Sequence, residues 1–266
     1  MSRSFGRLAD IPIPVRMRRY VLGTFARAFG IDIDEAEKPL ESYPTVNAFF
    51  VRRLRPGTRT WPADPASIGS PVDGIVGQLG PVRDGRLIQA KGRLYSVAEL
   101  LGDDRAAEPM EGGSFLTLYL APRHYHRIHA PWGGSIPVAC RVPGALLPVN
   151  EPSVRHVENL FARNERVVCH LHGTIGRGVV VAVGAFNVGR ISTAFDPTWG
   201  GGGGGDRPRD RTYDPPLPVE RGDEIMAFHL GSTVVVVAEP GGLRLDDRLR
   251  PGDEIRLGDV VAGPEG

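Results

Sequence analysis

Ile225-Met-Ala-Phe-His-Leu-Gly-Ser-Thr-Val-Val-Val-Val-Ala238 is an apolar, β-branched run broken in its middle by a Gly-Ser pair. β-branched residues suit strands, and glycine inside a strand marks a bulge or a close backbone approach. Taken alone, Gly231-Ser232 therefore reads as a bulge. Working outward, comparable short runs occur at Gly74 to Leu79, Phe115 to Leu120, Val167 to Leu171 and Val179 to Phe186, divided by glycine and proline. No helical pattern alternates with them, so the texture is that of a β-rich domain and not of a βαβ repeat. Arg221-Gly-Asp-Glu-Ile225 and Pro251-Gly-Asp-Glu-Ile255 repeat one turn-to-strand unit and read as hairpin turns.

Upstream of Ser70 the pattern is helical. Val15, Leu22, Phe25, Ala26 and Phe29 recur at roughly helical spacing, with Arg16, Arg19 and Arg27 elsewhere on the wheel. Through Ile31 there are six arginines against the single acid Asp10. A basic amphipathic helix of this kind can lie on an anionic membrane, or its apolar stripe can pack on the core. A second helix is expected after Pro44, capped by Thr45, through Asn47-Ala-Phe-Phe-Val51 and ending before Pro56-Gly57. The expected architecture is α+β. An N-terminal helical, membrane-associating region spans residues 1–62, and a β-rich sandwich or barrel that carries the chemistry spans residues 63–266.

Composition excludes several classes. The 266 residues are 41% hydrophobic and 24% charged, which is ordinary for a globular chain. Lys and Arg number 32 against 31 acids, so no overall field gathers nucleic acid. Apolar runs such as Val179 to Val183 fall far short of the roughly 20 residues of a membrane span. Cys140 and Cys169 lack CxxC spacing and no signal-peptide pattern opens the chain, so a reduced, cytosolic setting is expected. Trp199 precedes six glycines, Gly200 to Gly205, and then a charged, proline-containing stretch through Pro218. This reads as a mobile loop, since no Lys-Ser/Thr follows and a phosphate-cradling loop needs a strand-to-helix context.

His124, His126 and His129 put three imidazoles in six residues, the pattern of proton transfer near neutral pH or of metal binding. No Cys pair or clear carboxylate ligand accompanies them, and no metal is expected. His170 and His172 share one face of an expected strand. Ser70-Pro-Val-Asp-Gly74 is first of all a turn leading into a strand.

Together these pieces resemble a known family, the pyruvoyl-dependent phosphatidylserine decarboxylases of the bacterial membrane-associated type. The likeness runs from about Tyr43 to the Val234 to Val237 strand. It is carried by Ser70-Pro-Val-Asp-Gly74, Gln89-Ala-Lys-Gly92, Tyr125-His-Arg-Ile-His129 with Pro131, and Val142-Pro-Gly144. Leu160-Phe-Ala-Arg-Asn-Glu-Arg-Val167, Val183-Gly-Ala185, Val188-Gly189 and Leu230-Gly-Ser-Thr233 continue it.

The resemblance implies self-cleavage between Gly231 and Ser232 into a β-chain, residues 1–231, and an α-chain, residues 232–266, which stay associated. Ser232, His129 and Asp73 match the nucleophile, its base and the carboxylate that holds the base in its useful tautomer. Ser232 would become a pyruvoyl group that forms a Schiff base with the amine of phosphatidylserine and accepts the electrons left by carbon dioxide. His126 matches the proton donor to the resulting carbanion. The resemblance also implies a homodimer, peripheral on the cytoplasmic face of the cell membrane.

Two other readings compete. Pro71-Val-Asp-Gly-Ile-Val76 resembles the barrel-sandwich carriers of biotin or lipoate, but those need a lysine at a hairpin tip, and Lys38 and Lys91 lack that setting. A zinc hydrolase using His124, His126 and His129 would lose activity on chelation, unlike a pyruvoyl enzyme.

Overall fold

The computed structural model describes residues 8–90, 93–185, 190–199, 209–229 and 232–263. Gly200 to Gly205, Lys91-Gly92, Val188-Gly189 and Leu230-Gly231, including the carbonyl side of the expected scissile bond, lie outside the described residues. Among the described residues sixteen strands run in chain order. They are β1 (Ile68–Gly69), β2 (Gly74–Pro81), β3 (Arg86–Ala90), β4 (Arg93–Ser96), β5 (Ser114–Leu120), β6 (Arg127–His129), β7 (Gly134–Val142) and β8 (Arg166–Gly173). There follow β9 (Gly176–Gly184), β10 (Ile191–Thr193), β11 (Arg209–Val219), β12 (Glu224–Phe228), β13 (Ser232–Ala238), β14 (Arg244–Leu245), β15 (Glu254–Ile255) and β16 (Val260–Gly263).

Eight of them form one antiparallel sheet in the order β11-β7-β8-β9-β13-β5-β2-β15. The sheet is open, with β11 and β15 as its edges, so the architecture is α+β with stacked sheets and without a closed barrel. Its centre is β9 and β13, where Val179–Val183 and Val234–Val237 are buried without the alternation of a half-exposed strand. Such continuous apolar runs require cover on both faces. Each buried valine contributes about 1.5–3 kcal/mol relative to exposure. A second sheet, β10-β12-β6, shares this hydrophobic cluster through Ile128, Ile191, Met226 and Phe228.

The interrupted run does not make one bulged strand. Its first half is β12 in the smaller sheet and its second half, from Ser232, is β13 in the larger one, so the chain changes sheets between Phe228 and Ser232. The two Gly-Asp-Glu-Ile turns likewise pass between sheets and do not close hairpins. In both the aspartate caps the turn, Asp223 Oδ2 accepting from the Glu220 N–H (2.8 Å) and Asp253 Oδ2 from that of Arg250 (2.7 Å). A third turn of the same form, Arg256 to Asp259, escaped the sequence reading because no Glu-Ile follows it. The charged, proline-containing stretch through Pro218, which sequence did not assign to a strand, is edge strand β11 from Arg209 onward, paired only with β7. Its prolines lack N–H donors and are tolerated because one side of an edge strand needs none.

The first helix is Val15–Phe29, ended by Gly30 at φ 70°. Its stripe divides: Leu22 and Ala26 are buried with Ile31, Tyr43 and Phe49, whereas Val15 and Phe29 are exposed. The second helix is Val46–Phe50, with the Thr45 side chain accepting from the Ala48 N–H as expected (2.9 Å). It packs over the histidine segment, the Phe50 ring lying 4.0 Å from that of His126.

Candidate active site

Ser232 opens β13, paired with Leu120 of β5 on one side and Gly184 of β9 on the other. Its side chain is 0% exposed, and Oγ has no hydrogen-bond partner among the described residues. An unpaired buried hydroxyl is costly unless it is used. Gly184 is suited to this place, since a Cβ there would meet the Glu165 carbonyl at 3.1 Å.

The three histidines of the 121–129 segment have separate partners. His124 Nδ1 accepts from the Ala121 N–H (3.0 Å), so its proton is on Nε2 and faces Glu254 (3.2 Å). Both nitrogens are thereby occupied, and His124 is a structural residue. His126 Nδ1 lies 2.9 Å from the His124 carbonyl, which can only accept, so the ring carries its proton on Nδ1. Nε2 is bare, wholly buried and without a partner among the described residues. Burial pushes the His126 pKa down to about 3, and the nearby Arg52 charge acts in the same direction. This imidazole is neutral at physiological pH.

His129 Nδ1 donates to the Gly222 carbonyl (2.7 Å), and Nε2 accepts from the Tyr125 hydroxyl (3.2 Å). Burial lowers its pKa, and the bond to Gly222 opposes that shift. Gly222 has φ 92°, and a Cβ on it would meet the Trp61 indole nitrogen at 2.8 Å, so the position calls for glycine. Arg221 secures the same turn by donating to the carbonyls of Pro62, Asp64 and Ser67.

Asp73 is buried, but its carboxylate does not reach His129. Arg59 Nε and Nη2 donate to its two oxygens (2.8 and 2.6 Å), and the Leu257 N–H donates to Oδ1 (2.7 Å). Burial alone would raise the Asp73 pKa, but these bonds and the Arg59 charge hold it below the usual carboxylate range. The carboxylate expected to set the histidine tautomer is thus replaced in that task by the Gly222 carbonyl. The Asp73 segment is still adjacent, since the His129 N–H donates to the Pro71 carbonyl (2.9 Å). Along β6 and β12, His126 is opposite the end that runs toward Ser232, its carbonyl accepting from Phe228 (2.9 Å), while His129 is opposite Glu224 at the other end.

Four supporting residues were missed by sequence reasoning: Arg59, Glu35, Tyr125 in its bond to His129, and His229. Arg59 also forks onto Glu35 (2.9 and 2.8 Å). His229, three residues before Ser232, accepts from Arg190 at Nδ1 (3.0 Å), which leaves Nε2–H to meet Ser192 (3.1 Å). Arginines are abundant in this chain, and nothing in local pattern singles out one that binds acids distant in sequence. His170 is half-buried and His172 exposed on β8, and no group of three metal-binding side chains occurs among the described residues.

A family model described as phosphatidylserine decarboxylase matches residues 46–263. The chain is 47% identical over 264 residues to the phosphatidylserine decarboxylase proenzyme of Anaeromyxobacter sp. (strain K), covering 99% of this chain and 93% of that one. It is 44% identical over 251 residues to the proenzyme of the same name from Xanthomonas euvesicatoria pv. vesicatoria (strain 85-10), covering 92% and 88%. The corresponding protein of Myxococcus xanthus (strain DK1622) is 43% identical over 260 residues, covering 97% and 91%.

Proposed function

The chain belongs to the phosphatidylserine decarboxylase family, and from that premise we propose that it cuts itself between Gly231 and Ser232 and then converts phosphatidylserine to phosphatidylethanolamine and carbon dioxide. The observation that carries this reading is the Ser232 hydroxyl, buried and without a partner among the described residues at the first position of β13.

In the cleavage, Ser232 Oγ adds to the Gly231 carbonyl carbon while its proton passes to His129 Nε2. The Gly231–Ser232 C–N bond then breaks, the nitrogen takes up the proton, and an ester replaces the amide. Loss of the Ser232 α-proton expels the ester oxygen with Gly231 as a carboxylate and leaves dehydroalanine. Water converts this to a ketone with release of ammonia. His129 suits the base because the Gly222 carbonyl fixes its proton on Nδ1 and leaves Nε2 to accept. The attack requires His129 Nε2 to release the Tyr125 hydroxyl that holds it here and to meet Ser232 Oγ from the far end of β6. Asp73 contributes a fixed negative charge, anchored by Arg59, beside the histidine segment.

A ketone in place of the Ser232 hydroxyl would displace no hydrogen bond among the described residues, because Oγ has no partner there. The pyruvoyl group, once formed, supplies an electron sink for decarboxylation. His126 handles the proton. With Nδ1–H held by the His124 carbonyl, its bare Nε2 is the nitrogen that would exchange a proton with the substrate. The α-chain would stay in place after cleavage, because β13 is laddered on both sides by β5 and β9.

Peripheral attachment to the anionic, cytoplasmic membrane face belongs to the same proposal. It is supported by Leu8, Ile11, Val15 (62% exposed), Met17 and Tyr20 (73%), all presented to solvent beside exposed Arg16 and Arg19. No helix among the described residues is long and apolar enough to cross a membrane.

Intact mass and lipid turnover test the whole. Purified protein should resolve into fragments ending at Gly231 and beginning at position 232, the smaller one resisting stepwise N-terminal degradation. It should release carbon dioxide from phosphatidylserine, and Ser232→Ala should remain one chain without activity. A wild-type protein that decarboxylates while uncut would overturn the scheme.

A further inference from the structure

Arg52 follows the helix Val46–Phe50 and is 2% exposed. Its Nη2 makes one long hydrogen bond, to the Arg123 carbonyl (3.4 Å), while Nε and Nη1 have no partner among the described residues. The neighbouring acids are already committed: Asp73 and Glu35 to Arg59, Glu224 to Arg127 and Arg53, and Glu254 to Arg123. The remaining contact is the Phe49 ring, 5.4 Å from the guanidinium carbon. A buried guanidinium with two idle donors and no counter-ion is unfavourable unless an anion completes it. The Tyr43 hydroxyl, under the influence of the same charge, is buried near the Lys38 backbone and makes no hydrogen bond of ordinary geometry among the described residues.

This position adjoins the proposed reaction site. Arg123, whose carbonyl Arg52 touches, is three residues before His126, and Phe50, two residues before Arg52, packs tilted against the His126 ring. We infer that Arg52, with the Tyr43 hydroxyl as a second donor, receives the phosphodiester of the lipid head group. This rests on the decarboxylase reading above. The head group carries two anions, and the chemistry chooses between them. Pairing arginine with the carboxylate would stabilise the ground state against losing carbon dioxide. Pairing it with the unchanging phosphodiester holds the substrate equally well before and after. A planar fork suits a phosphodiester, with two of its nitrogens meeting two oxygens.

The test compares wild type with Arg52→Met and Arg52→Lys, using a soluble short-chain phosphatidylserine and its phosphate-methylated triester. Wild type should favour the diester strongly. Arg52→Met should raise KM for the diester on the order of 10–100-fold, the range of a lost charged hydrogen bond, and lose the preference over the triester, with Arg52→Lys between the two. A readout independent of turnover is melting temperature. In phosphate-free buffer Arg52→Met should melt at or above wild type, because an idle buried charge is gone. Added sn-glycero-3-phosphoethanolamine or inorganic phosphate should raise the melting temperature of wild type and not of Arg52→Met. An Arg52→Met protein that fails to fold, or melts lower with an undiminished phosphate effect, would make Arg52 structural and overturn the inference. If wild type decarboxylates no lipid, the functional reading fails, and the phosphate-dependent melting still decides whether Arg52 is an anion site.

Discussion

Asp73 takes both nitrogens of one edge of the Arg59 guanidinium, at 2.8 and 2.6 Å, while the rest of that guanidinium holds Glu35. One cation therefore pairs with two carboxylates, and it ties the N-terminal segment to the turn preceding β2.

Removing that cation should be severe. Arg59→Met strands two carboxylates with most of their surface buried, and should destabilise the uncut Ser232→Ala protein by about 3–5 kcal/mol in urea unfolding. Arg59→Lys should recover only part, because an ammonium cannot fork. The Asp73 pKa is depressed in the fold, so its contribution is fully present above the unfolded value of about 3.9 and is lost as pH falls through the lower folded value. Asp73→Asn should flatten that acid limb, and an unchanged limb would show that the pair is not what holds the segment.

The two site histidines should separate by task. His129→Ala should slow self-cleavage on the order of 10²–10⁴-fold, whereas His126→Ala should cleave and then decarboxylate slowly. Gel analysis of the fragments reads the first step and lipid turnover the second. The opposite pattern would exchange the roles.

His126 also gives an acid signature. Its folded pKa, about 3, is below the unfolded value of about 6.5. Its neutral, buried form therefore stabilises the fold fully above about pH 6.5, and this is lost progressively as pH falls toward 3. On the uncut Ser232→Ala background, His126→Gln should lessen the loss of stability between these limits. A slope equal to that of the parent would mean that the ring is not buried neutral.

Membrane binding should follow the exposed residues and not the whole helical stripe. Ile11, Val15 and Tyr20 changed to Ser should reduce flotation with anionic vesicles, whereas Leu22 and Ala26 are committed to the core and their loss should appear in melting. Arg16 and Arg19 changed to Gln should weaken binding most at low salt, each cation near the surface being worth about 1 kcal/mol before screening. Equal flotation of all versions would place the contact elsewhere.

Much of the fold was legible because its cause is local. Val234–Val237 and Val179–Val183 announce central strands by being apolar without alternation, and Thr45 announces a helix start by its side-chain oxygen. Ser232, His126, His129 and Asp73 could be picked out from motif blocks. The edge strand from Arg209 was illegible because its pairing with β7 overrides a proline-rich, charged composition. The change of sheet between β12 and β13 was illegible because both strands have the same character, and only the packing of two sheets divides them.

The site shows the same division. Residue types and their order along the chain determined which side chains carry a hydroxyl, an imidazole or a carboxylate, and that the chain would bury β-strands around them. Only tertiary structure decided who partners whom. His129 meets a carbonyl 93 residues away, Asp73 an arginine 14 residues away and an amide 184 residues away. Arg52 meets no anion at all among the described residues. The physical reason is that periodicity and propensity act over a few neighbouring residues, whereas hydrogen bonds and charge pairing are settled by whichever groups the packed sheets bring within about 3 Å.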